Sequence, residues 1–173
     1  SLSYDEPKAK DQRKVLATHD RADIGQVYLD PETHAPQAAV ATYKRENWIP
    51  LSDDFKPHLQ RLNEVADDGE IDILSRSQDD SVWTISVEQA DGPARYYTYD
   101  AADQQTDFLF VHRDDLEGLP LVDMEPVVIE SRDGLNLVSY LSLPPGVETT
   151  DDSNVVPDSP VPLVVHVHGG PWA

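Results

Sequence analysis

Apolar residues recur along this chain mostly with period two, interrupted by one stretch of period three to four. Residues 15–18, 25–29 and 38–43 are apolar or alternating runs and predict short strands. Asp30-Pro31-Glu32-Thr33-His34 separates the last two, and proline and aspartate favour a turn, so 25–29 and 38–43 predict a hairpin. Over 53–66 the period changes. Phe55, Leu59, Leu62 and Val65 or Ala66 fall on one side of an amphipathic surface helix, with Asp53 or Asp54 placed to cap its start and Gly69 just past its end. Strands resume at 71–76, 81–87 and 95–100, with turns at Gln78-Asp79-Asp80 and Asp91-Gly92-Pro93, and a short strand follows at 108–110. Strands meandering at intervals of about ten residues predict a sandwich, barrel or propeller.

The character shifts near Gly118-Leu119-Pro120. Runs at 126–131 and 135–143 are joined by Asp133-Gly134, a strong hairpin signal because both residues tolerate the tight turn. A polar, proline-bearing loop occupies 144–162. Residues 163–168 are then almost all apolar, the pattern of a strand inside a sheet covered on both faces. That run leads directly into Gly169-Gly170-Pro171-Trp172.

The segment Val164-Val165-His166-Val167-His168-Gly169-Gly170-Pro171-Trp172-Ala173 resembles the prolyl oligopeptidase family, especially its acylaminoacyl-peptidase and dipeptidyl-peptidase-like bacterial branch. Upstream, Met124-Glu125-Pro126-Val127-Val128-Ile129-Glu130-Ser131-Arg132-Asp133-Gly134-Leu135 is similar to the hairpin that opens the family's catalytic domain. Arg95-Tyr96-Tyr97-Thr98-Tyr99-Asp100 and Leu109-Phe110 are similar to its last propeller blade, and the helix near residue 60 fits the same branch. The resemblance is strongest from residue 95 onward. It implies a mainly β chain: residues 1–118 as the C-terminal part of a β-propeller, and 119–173 as the incomplete start of an α/β-hydrolase domain. It also implies a serine-type peptidase acting on short peptides through an acyl-enzyme, with the propeller limiting access by size.

In α/β-hydrolases a backbone N–H from the loop after the third strand helps form the oxyanion hole, and glycine lets the backbone approach the substrate there. By resemblance the oxyanion loop is His168, Gly169, Gly170 and Pro171, with Gly170 the donor, Pro171 stiffening the exit and His168 orienting the loop. The alternative for the two glycines is a plain tight turn. The triad runs Ser, Asp or Glu, His after this loop, and no serine here lies in a Gly-x-Ser-x-Gly elbow. The chain is therefore expected to be a segment of a longer protein, inactive by itself, completed by the remainder of its hydrolase domain. A carboxylesterase with a β-rich extension and a non-catalytic β binding module are the other classes these residues leave open.

Composition narrows the partners. The 173 residues carry 33 acidic against 13 basic side chains, a net charge of −20. Such a surface repels nucleic acid and anionic membrane, so neither is expected as a partner. Aspartate excess fits a salt-adapted or simply a very soluble protein, and these residues leave the compartment, cytoplasmic or periplasmic, open. With no cysteine, disulfides and thiolate metal sites are excluded. No apolar run approaches the roughly 20 residues that span a bilayer.

No cofactor is implied. His166 and His168 share one face of their strand, which is metal-ligand geometry, but no further ligand set accompanies them, and His166 is read as a hydrogen-bonded core residue. The adjacent pairs Asp53-Asp54, Asp67-Asp68, Asp79-Asp80, Asp114-Asp115 and Asp151-Asp152 are read as solvated turns rather than catalytic carboxylates, which meet across a cleft. Trp48, Trp83 and Tyr96, Tyr97 and Tyr99 are read as blade packing.

Overall fold

The computed structural model describes residues 2–4, 14–147, 149–151, 154–167 and 169. Among the described residues strands far outnumber helical residues, so the chain is mainly β as expected, and its antiparallel sheets are consistent with propeller blades. β1 (Leu2–Tyr4) pairs with β2 (Lys14–Ala17). β3 (Ile24–Leu29), β4 (Pro36–Thr42) and β5 (Glu46–Pro50) form a three-stranded sheet in that order. After the helix α1 (Lys56–Ala66), β6 (Glu70–Arg76), β7 (Val82–Glu88), β8 (Arg95–Asp100) and β9 (Gln105–Val111) form a four-stranded meander. β10 (Glu125–Glu130) and β11 (Asn136–Leu141) are a separate hairpin, and β12 (Thr149–Asp151) pairs with β13 (Asn154–Pro157). Among the described residues no helix is long and apolar enough to cross a membrane.

One core joins the two larger sheets through the helix. Alternation along β7 sends Trp83, Ile85 and Val87 to one face, where they meet Ile71 and Ile73 of β6. Phe55, Leu59, Leu62 and Ala66, at helical spacing, cover that face, and Tyr28, Ala38 and Val40 close it from the first sheet. The central strand β4 has Ala38, Ala39, Val40 and Ala41 all buried, so both of its faces are covered. Tyr28 stacks on Trp48 at 4.8 Å between ring centres, and its hydroxyl donates to Asp72 Oδ1 at 2.9 Å, tying the first sheet to the second.

Several boundaries differ from the sequence pattern. β5 was not foreseen; it is an edge strand, the place where a sheet tolerates Pro50. The helix begins without an aspartate cap. Phe55 is its first flanking residue, and Ser52 Oγ accepts the Phe55 N–H at 3.3 Å. Gly69 does lie just past the end, for a packing reason: a Cβ there would stand 2.8 Å from the Glu88 carbonyl oxygen and 2.9 Å from a Val87 methyl. The hairpin at Asp133-Gly134 forms as read, with Gly134 at φ +79°. The polar loop 144–162 contains the small β12–β13 pair, absent from the expectation.

The largest correction concerns 163–168. Residues 163–167 form no strand, and Leu163 and Val164 are 74% and 90% exposed. An isolated strand leaves its backbone donors and acceptors without a ladder. Among the described residues no neighbouring strand lies beside this run to supply one.

Candidate functional site

Of the oxyanion loop read from the sequence, Gly169 is described and is exposed, with nothing among the described residues within 4 Å of the place a Cβ would take. His168, Gly170 and Pro171 lie outside the described residues. His166 is exposed rather than a core residue, because the run that carries it is not part of a sheet.

The most developed polar cluster lies instead at the β6–β7 turn, and the sequence reading missed it. Arg76 is nearly buried, and its guanidinium grips the Asp80 carboxylate with two nitrogens, Nε to Oδ1 at 2.5 Å and Nη2 to Oδ2. Its Nη1 also donates to the Leu29 carbonyl at 3.0 Å and to Gln37 Oε1 at 2.7 Å, so one side chain holds both sheets. The same guanidinium lies over the rings of Trp83, 4.6 Å, and Phe55, 5.6 Å. Trp83 Nε1 donates to Asp80 Oδ1 at 2.7 Å. Behind it, His58 Nδ1 and the Tyr99 hydroxyl share a 2.7 Å hydrogen bond.

Burial dominates the titration of this cluster. It pushes the Tyr99 hydroxyl up to about 12, against the opposing charge of Arg61. Burial also lowers His58 below the ordinary imidazole range, with Asp80 pulling upward and Arg76 downward. The imidazole is thus a neutral hydrogen-bonding and packing group at neutral pH. Its ring and those of Phe55 and Trp83 line a 350 Å³ cleft together with Asp30, Asp54 and Asp80.

Expectations about the paired aspartates divide here. Asp79 is a solvated turn residue whose carboxyl is held at about 2 by hydrogen bonds from Ser77 and Ser81. Asp80 sits in the same turn and keeps 24% of its side chain exposed, but its carboxylate is also the partner of Arg76 and Trp83. Asp114 and Asp115 sit in a 3-10 turn, Asp114–Leu116, and Asp151 is in β12, with Asp152 outside the described residues. Trp83 and Tyr99 are fully buried and Trp48 stacks on Tyr28, so their reading as packing holds. The missed signal was Arg76 and Asp80 flanking a hairpin turn just before Trp83, a spacing that brings charge and indole together once the strands pair.

A larger cleft, about 760 Å³, opens between β5, the end of α1 and the segment before β10. Glu46, Glu70, Glu88, Asp67 and Asp123 line it, and Arg45 is the cation among its lining residues. Burial first, then the neighbouring Glu70, raises the Glu46 carboxyl above its ordinary value; a hydrogen bond with Trp48 works the other way. The field in this cleft draws cations and repels anions. Among the described residues no group of three or more histidine or acidic side chains is arranged to hold a metal ion.

Comparison with known proteins then bears on what the two sheets belong to. No protein-family model matches the chain, and no solved structure does. Over 165 residues, 95% of its length, it is 39% identical to dipeptidyl aminopeptidase BIII of Pseudoxanthomonas mexicana. The chain is similar to this dipeptidyl aminopeptidase along nearly all of its own length. Dipeptidyl peptidase family member 6 of Caenorhabditis elegans is 28% identical over 174 aligned positions, 94% of the chain. The chain spans about a quarter of the curated relatives it matches, 24% of each. These similarities are consistent with the dipeptidyl-peptidase-like resemblance read from the sequence.

Proposed function

We propose that this chain is part of a serine-type exopeptidase that removes dipeptides from the amino terminus of short peptides through an acyl-enzyme. The observation that carries the reading is 39% identity along 95% of the chain to a dipeptidyl aminopeptidase. In this reading residues 1–118 are propeller wall and 119–173 open the α/β-hydrolase domain. The nucleophilic serine and its acid and base follow in the parent protein, in the order that fold uses. The loop His168, Gly169, Gly170 and Pro171 contributes one side of the oxyanion hole, with the Gly170 N–H as donor. No cofactor takes part, and the 173 residues alone hydrolyse nothing.

The test uses the full-length protein that carries this chain. It is expected to release the reporter from dipeptidyl-anilides with a free amino terminus far faster than from blocked ones or simple esters, and to take up one fluorophosphonate per chain at a serine beyond residue 173. Gly170→Val is expected to lower kcat by about 10² to 10³ with little change in KM, because the lost donor acts mainly on transition-state charge. Ester hydrolysis without dipeptidyl release, or labelling of a serine within residues 1–173, would overturn the reading. A folded Gly170→Val variant with normal kcat would return the loop to a plain turn.

A further inference from the structure

The hairpin β10–β11 is only shallowly packed: Ile129 is 52% exposed, Leu137 48% and Leu135 60%. An isolated two-stranded hairpin is marginal in water, so its position depends on what ties it down. Among the described residues, every hydrogen bond and ion pair between 119–141 and the sheets ends on one short turn, residues 43–45, which connects β4 to β5. Arg45 Nη2 donates to the Met124 carbonyl at 2.6 Å and lies 4.0 Å from Asp123 Oδ1. The Tyr140 hydroxyl donates to the Lys44 carbonyl at 2.8 Å. These contacts join residues 79 and 96 positions apart.

We propose that the 43–45 turn is an interaction surface for the hairpin of its own chain, a latch in which Arg45 and the Lys44 carbonyl fix β10–β11 against the two sheets. The strap it closes is the segment from His112 to Met124, which contains a 3-10 turn and Gly118 at φ +74° and no strand. The two halves of the latch differ in kind. Arg45 makes a charge-assisted bond to a backbone oxygen, which no side-chain change at Met124 removes. Its pair with Asp123 is exposed at both ends and contributes little. Tyr140, opposite Pro126, supplies a neutral bond beside the Met124 contact, so Arg45 and Tyr140 together hold the open end of the hairpin. Latch release frees β10–β11 while the core around Trp83 stays intact, because none of these residues belongs to that core. The proposal stands whether or not the protein is a peptidase.

The experiment is amide hydrogen exchange by mass spectrometry on the full-length protein, comparing wild type with Arg45→Met, Tyr140→Phe and the double variant. Exchange of native-state amides reports local opening. Peptides covering 118–141 are expected to exchange about tenfold faster in the double variant and less so in each single one, the size set by losing one charged and one neutral hydrogen bond. Peptides covering β6 to β8 are expected to be unchanged, and Arg45→Lys is expected to restore part of the protection. Unchanged exchange of 118–141 in both single variants would overturn the latch. So would a uniform increase across β6 to β8, which would make the turn a general stability element. Tyr140→Phe removes only one exposed hydroxyl, so a folded readout is secured even if the double variant unfolds.

Discussion

The inner strands of residues 24–111 and the strands of residues 119–167 are of similar apolar content, yet they end in opposite states. In the first region Trp83, Ile85 and Tyr99 are 1%, 0% and 0% exposed; in the second Ile129 is 52% and Val164 90% exposed. The difference lies in the neighbours. β7 has a paired strand on each side and a helix over its apolar face, so alternation becomes burial. β10 and β11 have each other alone, and 163–167 has no described strand beside it. An apolar pattern therefore states which face wants covering, whereas the covering must come from another element.

The sharpest way to break this comparison is to remove the centre of the covered region. Trp83→Ala deletes a buried indole stacked on Phe55 at 5.5 Å and tilted against Tyr99 at 5.0 Å, and removes the indole N–H that Asp80 accepts beside Arg76. The expected loss is about 4 kcal/mol, as for other large-to-alanine core changes. Urea unfolding followed by far-UV circular dichroism measures it. A loss below about 1 kcal/mol would mean that the two sheets do not share one core.

Next in size is Arg76→Met, which keeps the apolar stem but strands the Asp80 carboxylate. Breaking a fully buried pair costs about 3–5 kcal/mol; Asp80 is 24% exposed and reaches water, so about 2 kcal/mol is expected. Adding Asp80→Asn is expected to recover part of that loss, since the second change removes the stranded charge. If the double variant is no more stable than Arg76→Met alone, the guanidinium acts through its stacking on Trp83 and its bonds to Leu29 and Gln37 instead.

How much of this was legible follows the same division. The alternation read at 81–87 and the helical spacing of Phe55, Leu59 and Leu62 are local signals, and the strand formed within one residue of its reading and the helix within 53–66. Asp133-Gly134 named its hairpin because a turn is decided by its own residues. Asp80 was misjudged because its partners, Arg76 and Trp83, meet it only when β6 and β7 pair. Residues 163–168 were misjudged for the converse reason: their pattern describes a sheet interior, and interior strands exist only with neighbours. The reading of Gly169 and Gly170 as an oxyanion loop rests on family resemblance alone, since glycine spacing by itself does not separate a donor loop from a turn.

A smaller effect is expected from pH at the acidic cleft. The Glu46 carboxyl is raised in the folded chain, so folding favours its protonated form. Its contribution is fully favourable below the ordinary value of 4.5 and is lost as pH rises through the folded value. Glu46→Gln, which mimics the protonated form, is therefore expected to melt higher than wild type at pH 7, with the gap closing as pH falls below 4.5. Thermal melts at both pH values check it; a gap that widens at low pH would place the strain elsewhere than at Glu46.

The smallest expected effect tests the exposed region directly. Ile129 faces Leu137 across the β10–β11 pair, and both side chains are about half exposed. Ile129→Ser then loses one cross-strand contact worth a few tenths of a kcal/mol and creates no cavity. Ile85→Ser, at 0% exposure on β7, removes a similar side chain from a packed site and buries a hydroxyl among Trp83, Val87 and Ile73, at about 3 kcal/mol or more. The two substitutions are chemically identical, so the difference between their urea midpoints isolates the environment. The expected order is a large shift for Ile85→Ser and almost none for Ile129→Ser in the 173-residue chain. Equal shifts would show that the hairpin face is covered after all, and the contrast between the two regions would fail at its clearest point.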